Sequence, residues 1–131
     1  MDIQTHQRID QALCGRPIVV EDDFCQVELT TTTEMAVDAS GLVHGGFIFG
    51  LADHAAMVAV NHPNVVLGAA EVKFLKPVRA GETVVAHARI ENKEGRKHSA
   101  IVQVDRGDEA VFKGTFTCFV LDQPVLAPNV A

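Results

Sequence analysis

Gly45-Gly-Phe-Ile-Phe-Gly-Leu-Ala-Asp-His-Ala-Ala-Met-Val-Ala-Val60 is an almost wholly apolar stretch in which only Asp53 and His54 can ionise. A helix that is hydrophobic all round is buried in a protein core or in a membrane. Sixteen residues are fewer than the roughly 20 that a helix needs to span a bilayer, so the stretch predicts a core helix. A carboxylate there is costly unless it is paired or used. Asp53 is therefore the first candidate for chemistry.

Composition places the chain among single-domain proteins with a hydrophobic core. The chain has 131 residues, of which 47% are hydrophobic, and we expect one domain over residues 1–123. Residues 124–131 contain two prolines and no periodicity, which predicts a loose tail. No signal-like segment or membrane span is visible. Three cysteines without a pairing motif (Cys14, Cys25 and Cys118) indicate reduced core thiols and a cytoplasmic location.

Charge is distributed unevenly along the chain. The net charge is −6, which argues against a nucleic-acid partner because no basic footprint is present. Pro17 to Val72 contains no Lys or Arg, whereas nine of the eleven basic residues lie between Lys73 and Lys113. A phosphate-bearing ligand would have to find its positive charge in that second half. The alternative is that these cations only cover the solvent faces of strands.

Hydrophobic periodicity predicts the other elements. A short helix is expected over residues 3–14, closed by Gly15, and one or two strands precede the core helix, including 25–34. After the helix the period becomes two, which predicts strands over 65–76, 83–91, 99–105 and 110–121 that form successive antiparallel hairpins. An antiparallel sheet with one apolar face needs a cover, and the core helix is the only apolar candidate. The sequence thus predicts an α+β hotdog fold, a sheet wrapped around one central helix.

Two segments carry a family resemblance, which covers roughly residues 25–121. Gly41-Leu-Val-His-Gly-Gly46, with Asp53 nine residues after His44, resembles the motif of hotdog acyl-CoA thioesterases of the phenylacetate-pathway type. Val72–Glu82 resembles the strand, proline and glycine segment of the same group. One position departs from the pattern, because the family often carries Asn six residues before the histidine and this chain has Asp38.

The start of the core helix is the expected oxyanion site. The first N–H groups of a helix lack internal partners and carry partial positive charge, and glycine lets a carbonyl approach them closely. We therefore expect the Gly45 N–H to polarise a thioester carbonyl. The resemblance implies that His44 helps orient the thioester. The alternatives are glycines that only allow tight packing and a capping or packed histidine.

Asp53 is the expected nucleophile or general base, since a thioester needs either an attacking carboxylate or an activated water. The alternative is a structural carboxylate. Gly45 and Asp53 are eight residues apart, about 12 Å along one helix, whereas their reacting atoms must meet within about 3 Å of one carbon. The spacing therefore predicts a site shared between two subunits of a homodimer or homotetramer.

The remaining candidates concern substrate binding. Phe47 and Phe74, with Met57 or Val65, are expected to line the acyl pocket, and Asp38 either contacts substrate or only forms a turn. The resemblance implies coenzyme A phosphate binding by Arg96, Lys97 and His98, and an ordinary charged hairpin is the alternative. His54 is expected to be a packed histidine. Neither a metal nor a cofactor is expected, because no ligand motif is present.

The expected function is hydrolysis of a small aromatic or short- to medium-chain acyl-CoA. The alternatives are a non-catalytic acyl-CoA sensor and a hotdog dehydratase or hydratase. The spacing of His44 and Asp53 disfavours the dehydratase or hydratase. The lack of a DNA-binding segment in this sequence disfavours a regulator, but Asp38 in place of the family's Asn keeps the sensor open as an alternative.

Overall fold

Residues 1–127 are described by a computed structural model, in which one long helix packs against one face of a six-stranded antiparallel sheet. This confirms the predicted hotdog fold. The elements in chain order are α1 (Gln11–Cys14), β1 (Arg16–Glu21), β2 (Phe24–Thr30), a 3₁₀ turn (Thr33–Met35), α2 (Gly45–Val60), β3 (Val65–Phe74), β4 (Thr83–Glu94), β5 (Lys97–Arg106) and β6 (Glu109–Val120).

The core helix α2 forms where the apolar stretch predicts it. His44 stands at its N-cap position in extended conformation, and Asn61 ends it with a left-handed φ of 52° and an N–H bond of 2.8 Å to the Met57 carbonyl. Asparagine is one of the few residues that adopt this conformation readily. Nine of the sixteen helix residues are buried. The predicted role of α2 as cover of the sheet is therefore confirmed.

Side-chain alternation in the later strands also follows the prediction. One face of each strand is fully buried against α2, with Val84, Ala86 and Ala88 on β4, Ala100, Val102 and Val104 on β5, and Phe112, Phe116 and Cys118 on β6. Alanines on the central strands leave room for the helix, while the phenylalanines fill the space near β6. The core thus lies between α2 and the middle of the sheet.

The strand order corrects one prediction. The sheet runs β1-β2-β4-β5-β6-β3, so β3 pairs with β6 at the edge and forms no hairpin with β4. The eight-residue connection from Leu75 to Glu82 has to cross three strand spacings, about 14 Å. Such a connection suits a crossing and not a tight turn. The hairpins β4-β5 and β5-β6 are present as expected, and β1 and β2 form a further hairpin that was not predicted.

Two element boundaries near the N-terminus were also predicted wrongly. The helix expected over 3–14 is reduced to Gln11–Cys14, because His6 adopts a positive φ of 54° that no helix continues. The strand expected over 25–34 ends at Thr30. Thr31 then turns away and bonds through its hydroxyl to the carbonyls of Arg79 and Glu82 at 3.1 and 2.8 Å.

Two of the three cysteines lie in the core as predicted, and Cys14 does not. Cys25 and Cys118 are fully buried, and burial raises the pKa of each thiol to about 12; Cys14 is half-buried, and all three are free. Residues 124–126 are exposed, and the rest of the predicted tail, 128–131, lies outside the described residues. No helix within residues 1–127 is long and apolar enough to cross a membrane.

Candidate active site

The entry to α2 is fixed by backbone bonds to neighbouring segments. The Val43 N–H donates to the Val78 carbonyl at 2.8 Å, and the His44 N–H donates to the Met35 carbonyl at 2.9 Å. Leu42 forms an isolated antiparallel bridge with Arg79. The start of the helix is therefore held in place by the 3₁₀ turn after β2 and by the segment between β3 and β4.

His44 is exposed, and its ring lies along the first turn of α2. A Cβ atom on Gly46 would stand 2.9 Å from His44 Cδ2 and 3.0 Å from Nε2, so the glycine makes room for the ring. The ring meets Phe47 edge-on at 6.2 Å between centroids. His44 makes no side-chain capping bond. The alternative that His44 is a capping side chain is therefore wrong.

Gly45 lies under an aromatic ring at the mouth of an apolar groove. A Cβ atom on Gly45 would stand 3.1 Å from Phe74 Cε1, and the Phe74 ring is 56% exposed and edge-on to Phe112 at 5.1 Å. As the first residue of α2, Gly45 has an N–H without a helical acceptor. This N–H is thus available to a ligand oxygen.

Asp53 is half-buried on the same helix. Its Oδ1 atom is inaccessible to solvent and has no hydrogen-bond partner within residues 1–127. Burial raises the pKa of this carboxyl. A buried polar atom without a partner in a native protein calls for a functional or assembly explanation, and Asp53 is one of only two such side chains in the described part of the chain.

The two main candidates do not meet within one chain. Gly45 and Asp53 are both on α2, and their eight-residue separation is about 12 Å of axial rise. The Asp53 charge adds to burial in raising the pKa of Cys118 on β6 and of Cys14 at the end of α1. The Gly45 N–H and the Asp53 carboxylate are thus too far apart to act on one carbonyl carbon within the same chain.

The apolar groove beside Gly45 has a volume of about 300 Å³ and is lined chiefly by Leu42, Gly45, Ile48, Phe74, Val78 and Val111. Phe74 therefore lines a groove beside Gly45, and its contact with an acyl group stays a prediction. Phe47 is not among the lining residues and instead contacts the His44 ring. Met57 and Val65 are buried core residues, 1% and 5% exposed, so their expected place in the pocket was wrong. No sequence signal pointed to Val111, because only the pairing of β6 brings it here.

Asp38 lies in an exposed turn before the helix. Its Oδ1 atom accepts bonds from the Ser40 N–H at 2.9 Å and the Ser40 hydroxyl at 2.6 Å. These bonds, the hydroxyl first, lower the pKa of the Asp38 carboxyl. The turn-forming role is therefore what the structure shows, and a contact with substrate stays a prediction.

The Arg96–His98 segment lies at the opposite end of the sheet. Lys97 is seven residue steps from Val104, which is level with Phe112 and Phe74, and seven steps are about 23 Å of strand. Arg96 is ion-paired with Asp122. The buried Nδ1 atom of His98 has no partner within residues 1–127, and burial, followed by the Lys93 charge, lowers the pKa of this histidine.

His54 is packed, as predicted. It is 3% exposed, and its Nδ1–H donates to the Cys14 carbonyl at 3.0 Å. The His6 ring stacks on it at 6.2 Å between centroids, a contact that the sequence did not indicate. Burial lowers the pKa of both rings. Within residues 1–127, no three His, Cys, Asp or Glu side chains come together as metal ligands would.

Two solved structures share the fold along most of their length. A protein from Pyrococcus horikoshii described as uncharacterized is 50% identical, with a TM-score of 0.95 over 96% of this chain and 97% of that one. A mutant of the phenylacetic acid degradation protein PaaI from Thermus thermophilus is 28% identical, with a TM-score of 0.78 over 85% of this chain and 96% of that one.

Curated relatives match over only part of their length. Methylthioribose-1-phosphate isomerase from Aquifex aeolicus is 49% identical over 93% of this chain but 27% of its own length. Transcription factor FapR from Thermoanaerobacter is 28% identical over 72% of this chain and 48% of its own length. The chain therefore spans about half or less of these relatives.

The family model described as the thioesterase superfamily matches residues 40–113. That range includes the first turn of α2, Asp53 and the apolar groove. The chain belongs to the thioesterase superfamily.

Proposed function

We propose that this protein hydrolyses small acyl-CoA thioesters at a site shared between two subunits. The observation that carries the proposal is the buried, unpartnered Oδ1 of Asp53, on the helix whose first turn offers a free N–H at Gly45. A carboxyl with a pKa raised by burial is a stronger base than an ordinary aspartate. We expect a substrate or water at the contact with the second chain to supply the hydrogen bond that Asp53 Oδ1 lacks within one chain.

The reaction follows from these positions. The Gly45 N–H donates to the thioester carbonyl oxygen and stabilises the negative charge that develops there, while His44 helps hold the substrate. Asp53 of the second subunit either removes a proton from an attacking water or attacks the carbonyl carbon itself. In the first case the free acid forms directly and the coenzyme A thiolate leaves. In the second case the coenzyme A thiolate leaves as an enzyme anhydride forms, and water then cleaves the anhydride to the free acid and the Asp53 carboxylate. Neither step needs a metal or redox cofactor.

A second copy of the chain is the partner we propose. Gly46, Gly50 and Asp53 follow one another at spacings of four and three on the partly exposed side of α2, and such residues share a helix face. A Cβ atom on Gly50 would meet nothing within 4 Å. This small, open stripe allows an antiparallel helix to approach closely, which would bring each Asp53 to the other chain's Gly45.

The edge of the sheet supports the same assembly. β3 is ten residues long and pairs with β6 on one side only. A long edge strand with unpaired backbone groups is a template for pairing with another chain. Association of two chains along β3 would extend the sheet from one chain into the other.

Substrate contacts extend the proposal. Phe74 beside Gly45 and Phe47 beside His44 would contact the substrate near its thioester, and Asp38 lies in the preceding turn. The second subunit's Arg96, Lys97 and His98 would bind coenzyme A phosphates, with Lys97 as the cation lacking an ion pair within residues 1–127. Free thiols fit a reducing compartment such as the cytoplasm.

A non-catalytic acyl-CoA sensor is the second candidate, because the chain is similar to half of a FapR transcription factor. The isomerase name belongs to a protein of which this chain spans only 27%, and we do not extend its activity to this chain.

Thiol release from a panel of aromatic and short- to medium-chain acyl-CoAs tests the proposal. We expect turnover by the wild-type protein and a loss on the order of 100-fold in Asp53→Asn, with the helix content unchanged by circular dichroism. Acyl-CoA binding without turnover by the wild type would favour the sensor. Near-normal turnover by Asp53→Asn would refute the assigned role of Asp53.

A further inference from the structure

A second, more polar cavity adjoins the apolar groove. This polar cavity has a volume of about 520 Å³, and Ser40, Arg79, Glu82 and Arg106 belong to its lining. Leu42, Pro77 and Val78 line both spaces. The two spaces therefore adjoin beside the segment that precedes α2, and together, as what we call the track, they reach from Gly45 to Arg79.

The track is positively charged in an acidic protein. Its ionisable lining residues are Lys76, Arg79, Arg106 and Glu82. Because Arg106 also pairs with Glu109 outside the lining, the excess is one positive charge, whereas the whole chain carries −6. A local excess of positive charge in a cleft attracts anionic ligands. The polar end of the track therefore favours a negatively charged group.

Arg79 is the free cation of this cavity. Arg106 is already engaged, since it donates to the Pro77 carbonyl at 2.8 Å and to Glu82 at 3.1 Å, and it also pairs with Glu109. Glu82 Oε1 additionally accepts the Arg79 backbone N–H at 2.6 Å. The Arg79 guanidinium itself has no hydrogen bond or ion pair within the described residues.

The base of the Arg79 side chain is nevertheless held in place. Gly41 has a φ of 84°, and a Cβ atom there would stand 3.4 Å from Arg79 Cγ, so the arginine stem lies across the glycine. The Ala80 N–H donates to the Gly41 carbonyl at 2.8 Å. A fixed stem with a free planar head group is suited to two parallel bonds to a phosphate.

We propose that this track binds the phosphopantetheine arm of the substrate and that Arg79 binds a coenzyme A phosphate within the same chain that supplies Gly45. The proposal rests on the proposed thioester hydrolysis. From Gly45 back to Gly41 the extended chain covers about 13 Å, whereas the Arg96–His98 segment of the same chain is about 23 Å away along the sheet. The acyl group then lies on the other side of Gly45, toward His44 and Phe47.

The test compares substrates with and without phosphates. Arg79→Gln and wild type are assayed with an acyl-CoA and with the N-acetylcysteamine thioester of the same acid. Arg89→Gln is the matched control, because Arg89 is exposed and stacks over Phe24 at 5.4 Å, away from the track. We expect Arg79→Gln to raise KM for the acyl-CoA on the order of tenfold and to leave kcat unchanged. KM and kcat for the N-acetylcysteamine thioester should both stay at their wild-type values.

Three outcomes would overturn the inference. KM for acyl-CoA could stay unchanged in Arg79→Gln, both substrates could suffer equally, or Arg89→Gln could have the same effect. If the wild type hydrolyses neither substrate, the proposed hydrolysis is wrong, but the proposed phosphate site can still be tested. Calorimetric titration of wild type and Arg79→Gln with free coenzyme A then shows whether Arg79 contributes to binding. Weaker coenzyme A binding by Arg79→Gln alone would support the site. Equal binding, or no binding by the wild type, would refute it.

Discussion

Mixing two inactive variants tests whether the site is shared between chains. Asp53→Asn removes the proposed nucleophile or base, and Gly45→Pro deletes the proposed N–H donor. The structure indicates that the proline variant folds. Gly45 is the first residue of α2, a position that proline favours, and the preceding His44 has φ −60° and ψ 131°, which a residue before proline readily adopts. The atom that a new Cβ would approach is in the largely exposed Phe74 ring, which can move aside.

The expected recovery follows from counting sites. Random reassociation of equal amounts makes about half of the dimers mixed, and each mixed dimer has one site with both defects and one with neither. About a quarter of wild-type activity should therefore return, measured as thiol release after refolding the mixture. Gly45→Ala is the matched control, since it meets Phe74 in the same way but keeps the N–H, and it should retain more activity alone than Gly45→Pro.

Absence of recovery would refute the reasoning, provided that mixed dimers are demonstrated by differently tagged chains. It would mean that each site is built within one chain, although Gly45 and Asp53 lie eight residues apart on α2.

Three further predictions concern the same helix. Because burial raises the pKa of Asp53, kcat/KM should rise with pH over a range above that in which an ordinary aspartate titrates. The free energy of unfolding should fall over the same range, since the folded state holds the proton more tightly than the unfolded state. Asp53→Asn should show neither change in pH–rate profiles and thermal melts. Gly50→Leu has room within one chain but would block the helix seam, so sedimentation should show folded, inactive monomers. Gly46→Ala would bring its Cβ to 2.9 Å from the His44 ring, and we expect turnover to drop about tenfold with little change in melting temperature.

The core helix and the inward faces of the strands could be predicted because their signals are local. A sixteen-residue apolar run with one carboxylate specifies a buried helix, and strict alternation in β4 and β5 specifies which side chains face it. The separation of Gly45 and Asp53 is likewise fixed by helical rise alone. These features need no knowledge of which segment lies next to which.

Contacts between segments distant in sequence could not be predicted and are known only from the tertiary structure. Pairing of β3 with β6 rather than β4 brings Phe74 over Gly45 and places Val111 in the groove, and no sequence period encodes that choice of neighbour. The stacking of His6 on His54 and the free guanidinium of Arg79 depend on the same long-range packing. The sequence alone determined the helix, the faces of its sheet and the spacing of its candidate groups. The structure determined the neighbours, because strand pairing depends on how all the apolar faces can be buried together.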